Sequence, residues 1–122
     1  MTPERSTDAS APWVRDPHRG DDLVDWGPIP TMIEGESRTR GMLLYKGTDG
    51  IPEAGVWECT PGHWRCVVER DEFCHFLKGS CVYEHESGDV ITIRPGMAVF
   101  FPAGWSGTCR VTETVRKTYM IR

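Results

Sequence analysis

The sequence predicts an all-β fold, a small antiparallel barrel made of short strands. From about residue 40 onward, short runs rich in β-branched and aromatic residues alternate with turn residues at regular spacing. No stretch of useful length in this region has a helical period. The connections are too short for parallel crossovers, so neighbouring strands should pair antiparallel, and closure of the sheet would remove its exposed edges.

Nine segments have the composition and length of strands. They are separated by turn signals such as Pro61-Gly62, Lys78-Gly79 and Pro95-Gly96, in which glycine or proline favours a reversal of the chain. The predicted strands span residues 41–45, 55–60, 64–69, 72–78, 80–84, 89–93, 98–101, 108–112 and 115–121.

Residues 1–39 are expected to form an irregular arm, and residues 40–122 the barrel. Trp13 and Trp26 would be costly to leave in water, so the arm should lie along the barrel or on a second subunit. Prolines oppose regular structure in this segment, at positions 3, 12, 17, 28 and 30.

Length and composition indicate one packed domain. The chain has 122 residues, of which 39% are hydrophobic and 26% charged, an ordinary globular balance. The net charge is −4 and the 14 Lys and Arg residues are scattered, so nucleic acid is a poor candidate partner. The longest apolar run, residues 96–102, is too short to cross a bilayer, so no membrane association is expected. The first residues lack a basic stretch followed by an apolar one, which favours a cytoplasmic location.

The five cysteines do not form a recognisable framework. Their number is odd and no CxxC pair occurs, which argues against both a disulfide scaffold and a zinc finger. We expect reduced thiols that pack as small hydrophobic side chains.

Two sequence motifs carry a family resemblance. In the first, Glu72 is followed by six residues and Gly79, and in the second, Gly96 is followed by five residues and then Pro102-Ala103-Gly104. These motifs resemble the two cupin motifs, in which a strand runs into a glycine turn and a second strand reaches a corner at the barrel mouth. The resemblance implies a cupin barrel, that is, an RmlC-like jelly roll.

A narrower resemblance covers the chain from about residue 50 to its end. Residues 55–62 (GVWECTPG), the first motif and residues 115–119 (VRKTY) look like the cupins related to ethanolamine utilisation and to ureidoglycine aminohydrolase. Many members of this subgroup are small single-domain proteins without a defined activity, so the resemblance implies a fold more firmly than a reaction.

The usual cupin metal ligands are missing from the sequence. Metal-binding cupins place His-x-His shortly before the motif glutamate and a further His after the second motif. Here positions 65 and 67 are Arg and Val, positions 66 and 68 are Cys and Val, and the later position is Gly107. Of four expected ligands only Glu72 remains, which predicts no metal and no cofactor. A softer set of cysteines with Glu72, suited to zinc or copper(I), is the alternative.

Strand alternation predicts which side chains line the barrel. Glu72 and Cys74 share one face of their strand, and the cupin resemblance implies that Glu72 points inward. On the strand before it, Trp64, Cys66 and Val68 share the apolar face, which should also face inward. The same reasoning turns Trp57 and Cys59 inward, against Val56, Glu58 and Thr60. Lys117 is a natural counter-charge to Glu72 if its face is also inward. With Trp105 at the rim, the predicted ligand-binding residues are Trp57, Cys59, Cys66, Glu72, Cys74 and Trp105.

Each of these residues also has a structural interpretation. The sulfurs could simply fill the core, Glu72 could bond backbone amides or a neighbouring arginine, and Trp105 could be a lid over the core.

The leading functional hypothesis is a binding protein for a small molecule. The second is an enzyme acting on a small polar metabolite, an aminohydrolase or isomerase by family analogy, with Glu72 as the catalytic residue. The third is a structural or accessory subunit. We also expect a homodimer, because small all-β domains commonly bury a sheet face or edge against a copy.

Overall fold

The computed structural model describes residues 13–122, which fold into antiparallel strands and contain no helix. No segment in this range could therefore cross a membrane as a helix. The all-β barrel predicted from the sequence is confirmed. The nine strands are β1 (Val24–Pro28), β2 (Met32–Glu34), β3 (Arg38–Lys46), β4 (Glu53–Cys59), β5 (Gly62–Val67), β6 (Glu72–His85), β7 (Val90–Ile93), β8 (Ala98–Phe101) and β9 (Ser106–Ile121).

The long strand β9 is the centre of the sheet. Along one side it pairs first with β5 and then with β4, and along its other side it pairs with β6. The strands β7 and β8 pair with successive parts of β6, while β3 pairs with β4, β1 with β3, and β2 with β5. The two long strands, β6 and β9, each pair with different strands at their two ends and must bend to do so. This bending curls the sheet into a barrel.

Two predicted chain breaks are irregularities within continuous strands. Segments 72–78 and 80–84 join in β6, and segments 108–112 and 115–121 join in β9. The pairing register shifts between Phe76 and Cys81. Gly79 has a φ of +82°, and a Cβ there would collide with the backbone of Thr114. This glycine therefore allows a close approach of two strands at a bulge, and the prediction of a reversing turn was wrong.

The N-terminal segment is more regular than its prolines suggested. Strands β1 and β2 lie within the segment that was expected to be irregular. Pro28 does not prevent β1, because it is the last residue of an edge strand, where a missing backbone N–H is tolerated. Trp26 packs on the face of Gly41, whose lack of a side chain makes room for the indole ring. The described part of the arm contacts the barrel, but Trp13 and Trp26 stay 37% and 40% exposed, so the expectation that both leave water was wrong. Pro3 and Pro12 lie outside the described residues.

A buried ion cluster holds the N-terminal segment on the outer face of β4 and β9. The Glu58 carboxylate accepts hydrogen bonds from Arg40 Nη2 at 2.6 Å and from Arg116 Nη2 at 2.7 Å, and Lys78 Nζ lies 3.5 Å away. Arg116 Nη1 also donates to the carbonyl oxygen of His18 at 2.6 Å. Glu58 is only 5% exposed, so the outward face of β4 is covered as well as the inward one.

Candidate functional site

The barrel encloses a cavity of about 630 Å³ that opens to the surface. Its walls come from inward residues of β4, β5, β6 and β9, from the β3–β4 and β5–β6 connections, and from the N-terminal segment. Much of the lining is aromatic, with Trp26, Trp57, Trp64, Tyr83, Phe101 and Tyr119. A concave site with apolar walls and a few polar groups is the usual form of a small-molecule site.

The pairing of β9 with strands on both sides sets the polar geometry of the cavity. Ile121 pairs with Glu53 of β4 on one side and with Glu72 of β6 on the other. Two rows further along the same face, Lys117 pairs with Trp57. Since strands lie about 4.8 Å apart, the two glutamates have Cα atoms about 10 Å apart on opposite flanks of β9.

Lys117 and Glu72 form an ion pair in the cavity wall. Lys117 Nζ donates to Glu72 Oε2 at 3.0 Å, and the Lys117 side chain is 9% exposed against 18% for Glu72. The ammonium also lies 4.6 Å from the Trp57 ring centroid, a cation–π distance. Burial alone would lower the pKa of Lys117, but the adjoining Glu72 carboxylate raises it above its ordinary value. The amine is therefore protonated, and the predicted pairing of Lys117 with Glu72 is confirmed.

Three of the six predicted ligand-binding residues line the cavity. Trp57, Cys66 and Glu72 are on its wall. Their inward orientation follows the strand alternation expected from the sequence, with Arg65, Phe73 and His75 exposed on the opposite face.

The other three predicted residues are in the core instead. Cys59 and Cys74 are fully buried. The Cys74 thiol contacts Glu72 Oε2 at 3.3 Å from the core side. Trp105 is 9% exposed and packs edge-on against Phe101, with ring centroids 5.1 Å apart, so it covers the core and does not reach the cavity wall.

A second polar group in the cavity was not anticipated from the sequence. Tyr119 donates to Glu53 Oε2 at 2.7 Å, and Lys46 Nζ lies 3.9 Å from Glu53 Oε1. Burial and then the hydrogen bond to Glu53 raise the pKa of Tyr119, so its hydroxyl keeps its proton. Alternation does place Tyr119 on the face of Lys117, but no sequence signal links it to Glu53. Nothing in the sequence predicted that Trp26 would line the cavity either.

The donor atoms around Glu72 do not form the ligand set of a metal-binding cupin. Within residues 13–122, no three His, Cys, Asp or Glu side chains converge closely enough to hold a metal ion. Burial raises the pKa of Cys66 to about 11 and that of Cys74 to about 12, so neither is a thiolate at neutral pH. The carboxylate that would contribute to such a site is bonded to the Lys117 ammonium.

The antiparallel barrel, its mouth cavity and the two motifs define the chain as a cupin. The family model for the EutQ-like cupin domain matches residues 46–119, and the chain belongs to this family. The family resemblance stated from the sequence is thereby confirmed.

Solved structures agree with this assignment. A DUF861-family protein of unknown function from Pseudomonas syringae is 25% identical, with a TM-score of 0.77 over 88% of this chain and 46% of its own. This chain thus spans less than half the length of that protein. A EutQ protein from Salmonella typhimurium is 24% identical, with a TM-score of 0.60 over 69% of this chain and 68% of its own, which shows a shared fold. A DUF861-family protein from Thermotoga maritima is 30% identical, with a TM-score of 0.54 over 55% of this chain and 76% of its own. A search of curated proteins finds no match.

Proposed function

We propose that this cupin binds a small polar molecule in its barrel cavity, with Lys117 and Glu72 as the groups that contact it. The observation that carries the proposal is a buried ammonium–carboxylate pair in the wall of an open, largely aromatic cavity of about 630 Å³. Removing two charges from water is costly, and a ligand that completes the hydrogen bonds of the pair would offset part of this cost.

The pair can offer a ligand both a donor and an acceptor. The Lys117 ammonium has three N–H donors, of which one points to Glu72 Oε2. The other oxygen, Glu72 Oε1, accepts no hydrogen bond within the part of the chain that the structure describes. Trp57 and Trp64, in edge contact at 6.3 Å, add apolar wall beside the pair.

The proposed site works without the His-based metal centre of other cupins. Glu72 is the one family ligand retained, and the Lys117 ammonium supplies the positive charge beside it. A divalent ion at this carboxylate would be repelled at close range by the adjacent Lys117 ammonium.

An enzyme acting on a small polar metabolite is the second candidate. The observation that favours it is that the Glu72 carboxylate, a base, and the Lys117 ammonium, an acid, are held side by side on a cavity wall, a geometry that general acid–base catalysis can use. Family analogy suggests an aminohydrolase or isomerase.

Native mass spectrometry of the purified protein, followed by release of bound compounds with denaturant, tests the binding proposal. We expect a co-purified small molecule that is lost from the Lys117→Met variant and kept by the exposed control Lys78→Met. If turnover of that compound disappears in Glu72→Gln while binding persists, the protein is an enzyme. The absence of any bound compound, together with no response to a broad metabolite panel, would overturn the binding proposal.

We also propose that the protein forms a homodimer through an apolar patch on the outer sheet face. Phe73 pairs with Phe100 of β8 and with Met120 of β9, and these three side chains are 51%, 58% and 52% exposed. Residues 1–12 contain no aromatic residue, which leaves little apolar surface in that segment to match the patch. A second copy can present the same three side chains in an isologous contact.

A further inference from the structure

The cavity has two polar poles, one on each flank of β9. The first is the Lys117–Glu72 pair, and the second is formed by Tyr119 and Glu53, whose hydroxyl and carboxylate meet at 2.7 Å. Because Glu53 and Glu72 pair with the same residue of β9, the poles face one another across the width of a strand. A molecule bound between them could hydrogen-bond at both ends.

Each pole is already compensated in charge. Glu72 is neutralised by Lys117 at 3.0 Å, and Glu53 has the Lys46 ammonium at 3.9 Å besides the hydrogen bond from Tyr119. A full charge on a ligand would find no unpaired counter-charge at either pole, and an uncompensated charge in a partly buried site is costly. The remaining ionisable groups of the lining, Asp49, Glu69 and Arg70, are exposed, where water screens them.

The tight packing around Tyr119 indicates that the second pole is a fixed feature. A Cβ at Gly55 would collide with the Met42 carbonyl and would lie 3.0 Å from the Tyr119 hydroxyl, so glycine at this position leaves room for the hydroxyl beside Glu53. The phenol is 7% exposed, which holds its hydroxyl in one direction relative to the cavity. Preorganised polar groups lower the ordering cost of binding and fix the orientation of a ligand.

We infer that the ligand is a small neutral molecule with hydroxyl or similar hydrogen-bonding groups at both ends, such as a cyclic sugar or polyol, and that Tyr119 and Glu53 bind its distal end. Carboxylates accept from hydroxyls, the Lys117 ammonium donates to hydroxyl oxygens, and the Tyr119 oxygen, whose own proton goes to Glu53, accepts from a ligand hydroxyl. The indoles of Trp57 and Trp26 offer flat walls to an apolar ring face. This inference rests on the proposed binding function and adds the class of ligand and a second contact region.

The test is a titration followed by tryptophan fluorescence with three matched probes: D-glucose, D-glucosamine and D-glucuronate. The three share one ring, and they carry no charge, a positive charge and a negative charge respectively. We expect saturation with D-glucose and binding of both charged probes weaker by about tenfold or more. Tyr119→Phe should weaken D-glucose binding by about tenfold, since it removes one hydroxyl and keeps the ring. Tyr45→Phe, on an exposed tyrosine outside the cavity, is the matched control and should change nothing.

Three results of this titration would overturn the inference. They are tighter binding of a charged probe, an unchanged D-glucose affinity in Tyr119→Phe, and no saturation with any of the three probes up to about 50 mM. The proposed function is judged separately, by the compound that native mass spectrometry recovers and by its loss in Lys117→Met. A recovered charged compound would therefore overturn the ligand class and leave the binding function in place.

Discussion

Arg116 and Lys117 are consecutive residues of β9 that bury their charges on opposite faces of the sheet. Arg116 Nη2 is 2.7 Å from Glu58 under the N-terminal segment, and Lys117 Nζ is 3.0 Å from Glu72 in the cavity wall. Both residues are less than a tenth exposed. Strand β9 is thus covered on both faces, with the Arg116–Glu58 pair under the N-terminal segment and the Lys117–Glu72 pair in the cavity wall. Substitutions can test the two ion pairs separately.

Glu72→Gln should destabilise the protein by about 3 kcal/mol, because it leaves the Lys117 ammonium buried without a counter-charge. Urea unfolding measures the change. Adding Lys117→Met should recover part of the loss, since the double variant has no buried unpaired charge. Glu34→Gln is the control, because Glu34 pairs with Arg110 at the surface with 73% of its side chain exposed, and its loss should cost less than about 0.5 kcal/mol. Equal costs for the two variants would contradict the buried pair.

Glu58 should give the protein a pH-dependent stability at acid pH. Burial alone would raise the pKa of Glu58, but hydrogen bonds from Arg40 and Arg116 outweigh it and hold the pKa below its ordinary value. A lowered folded-state pKa means that the unfolded chain binds the proton first, so this stabilisation is complete above about pH 4.3 and is lost as the pH falls through the folded-state value.

In Glu58→Gln, the free energy of unfolding should therefore fall at neutral pH and depend less on pH below about 4.3. Urea unfolding at several pH values measures both effects. Glu84→Gln is the matched control, because Glu84 is exposed and forms no ion pair with any residue from 13 to 122. The prediction is wrong if the variant keeps the full acid dependence of the wild type.

Alternation in the sequence predicted side-chain direction but not what covers the outer face. It correctly turned Cys66 inward, because one face of that strand is visibly more apolar, whereas the inward direction of Glu72 and Cys74 came from the cupin resemblance. It placed Glu58 on the outward face, and the structure shows that residues 17–20 lie over that face and bury it. These covering residues are Pro, His, Arg and Gly, which show no hydrophobic period, so nothing in their composition marks the contact.

The sequence pattern also could not predict how deep in the barrel each inward side chain lies. Trp57 and Cys59 share one face, yet Trp57 lines the cavity and Cys59 is in the core, because position along the strand decides which end of the barrel a side chain reaches. Glu53 and Glu72 are 19 positions apart in the sequence, and only the pairing of β9 with both β4 and β6 brings them to one row.

Cys66 should be the one cysteine of the native protein that alkylating reagents modify. Burial raises its pKa to about 11, so labelling by iodoacetamide at pH 8 should be about a hundredfold slower than for an exposed cysteine, and about tenfold faster for each pH unit up to that value. Cys59, Cys74, Cys81 and Cys109 are at most 1% exposed and should react only after unfolding. Peptide mapping by mass spectrometry identifies the modified site, and Cys66→Ser should remove it. Modification of Cys59 at the same rate would contradict the placement of the two thiols.

The homodimer proposal predicts a mass of twice 13.8 kDa by light scattering at micromolar concentration. Phe73→Glu should give a monomer, because a charge directly between Phe100 and Met120 cannot be buried against an apolar partner surface. Val90→Glu is the control, since Val90 is equally exposed, at 59%, but lies on β7 outside the patch. A strictly monomeric wild-type protein, or a dimer unchanged by Phe73→Glu, would remove the proposal.

The last prediction concerns metal binding, because this chain lacks the histidine ligands that metal-binding cupins use. Glu72 is the retained family ligand, and it already bonds the Lys117 ammonium, while the nearest thiols, Cys66 and Cys74, keep their protons because burial raises their pKa values. A divalent ion would gain one carboxylate and would meet a fixed positive charge. Elemental analysis should therefore find no stoichiometric manganese, iron, nickel or zinc, and a chelator should leave the melting temperature unchanged. About one ion per chain, lost in Cys66→Ser or Cys74→Ser, would instead show that the sulfurs bind metal together with Glu72.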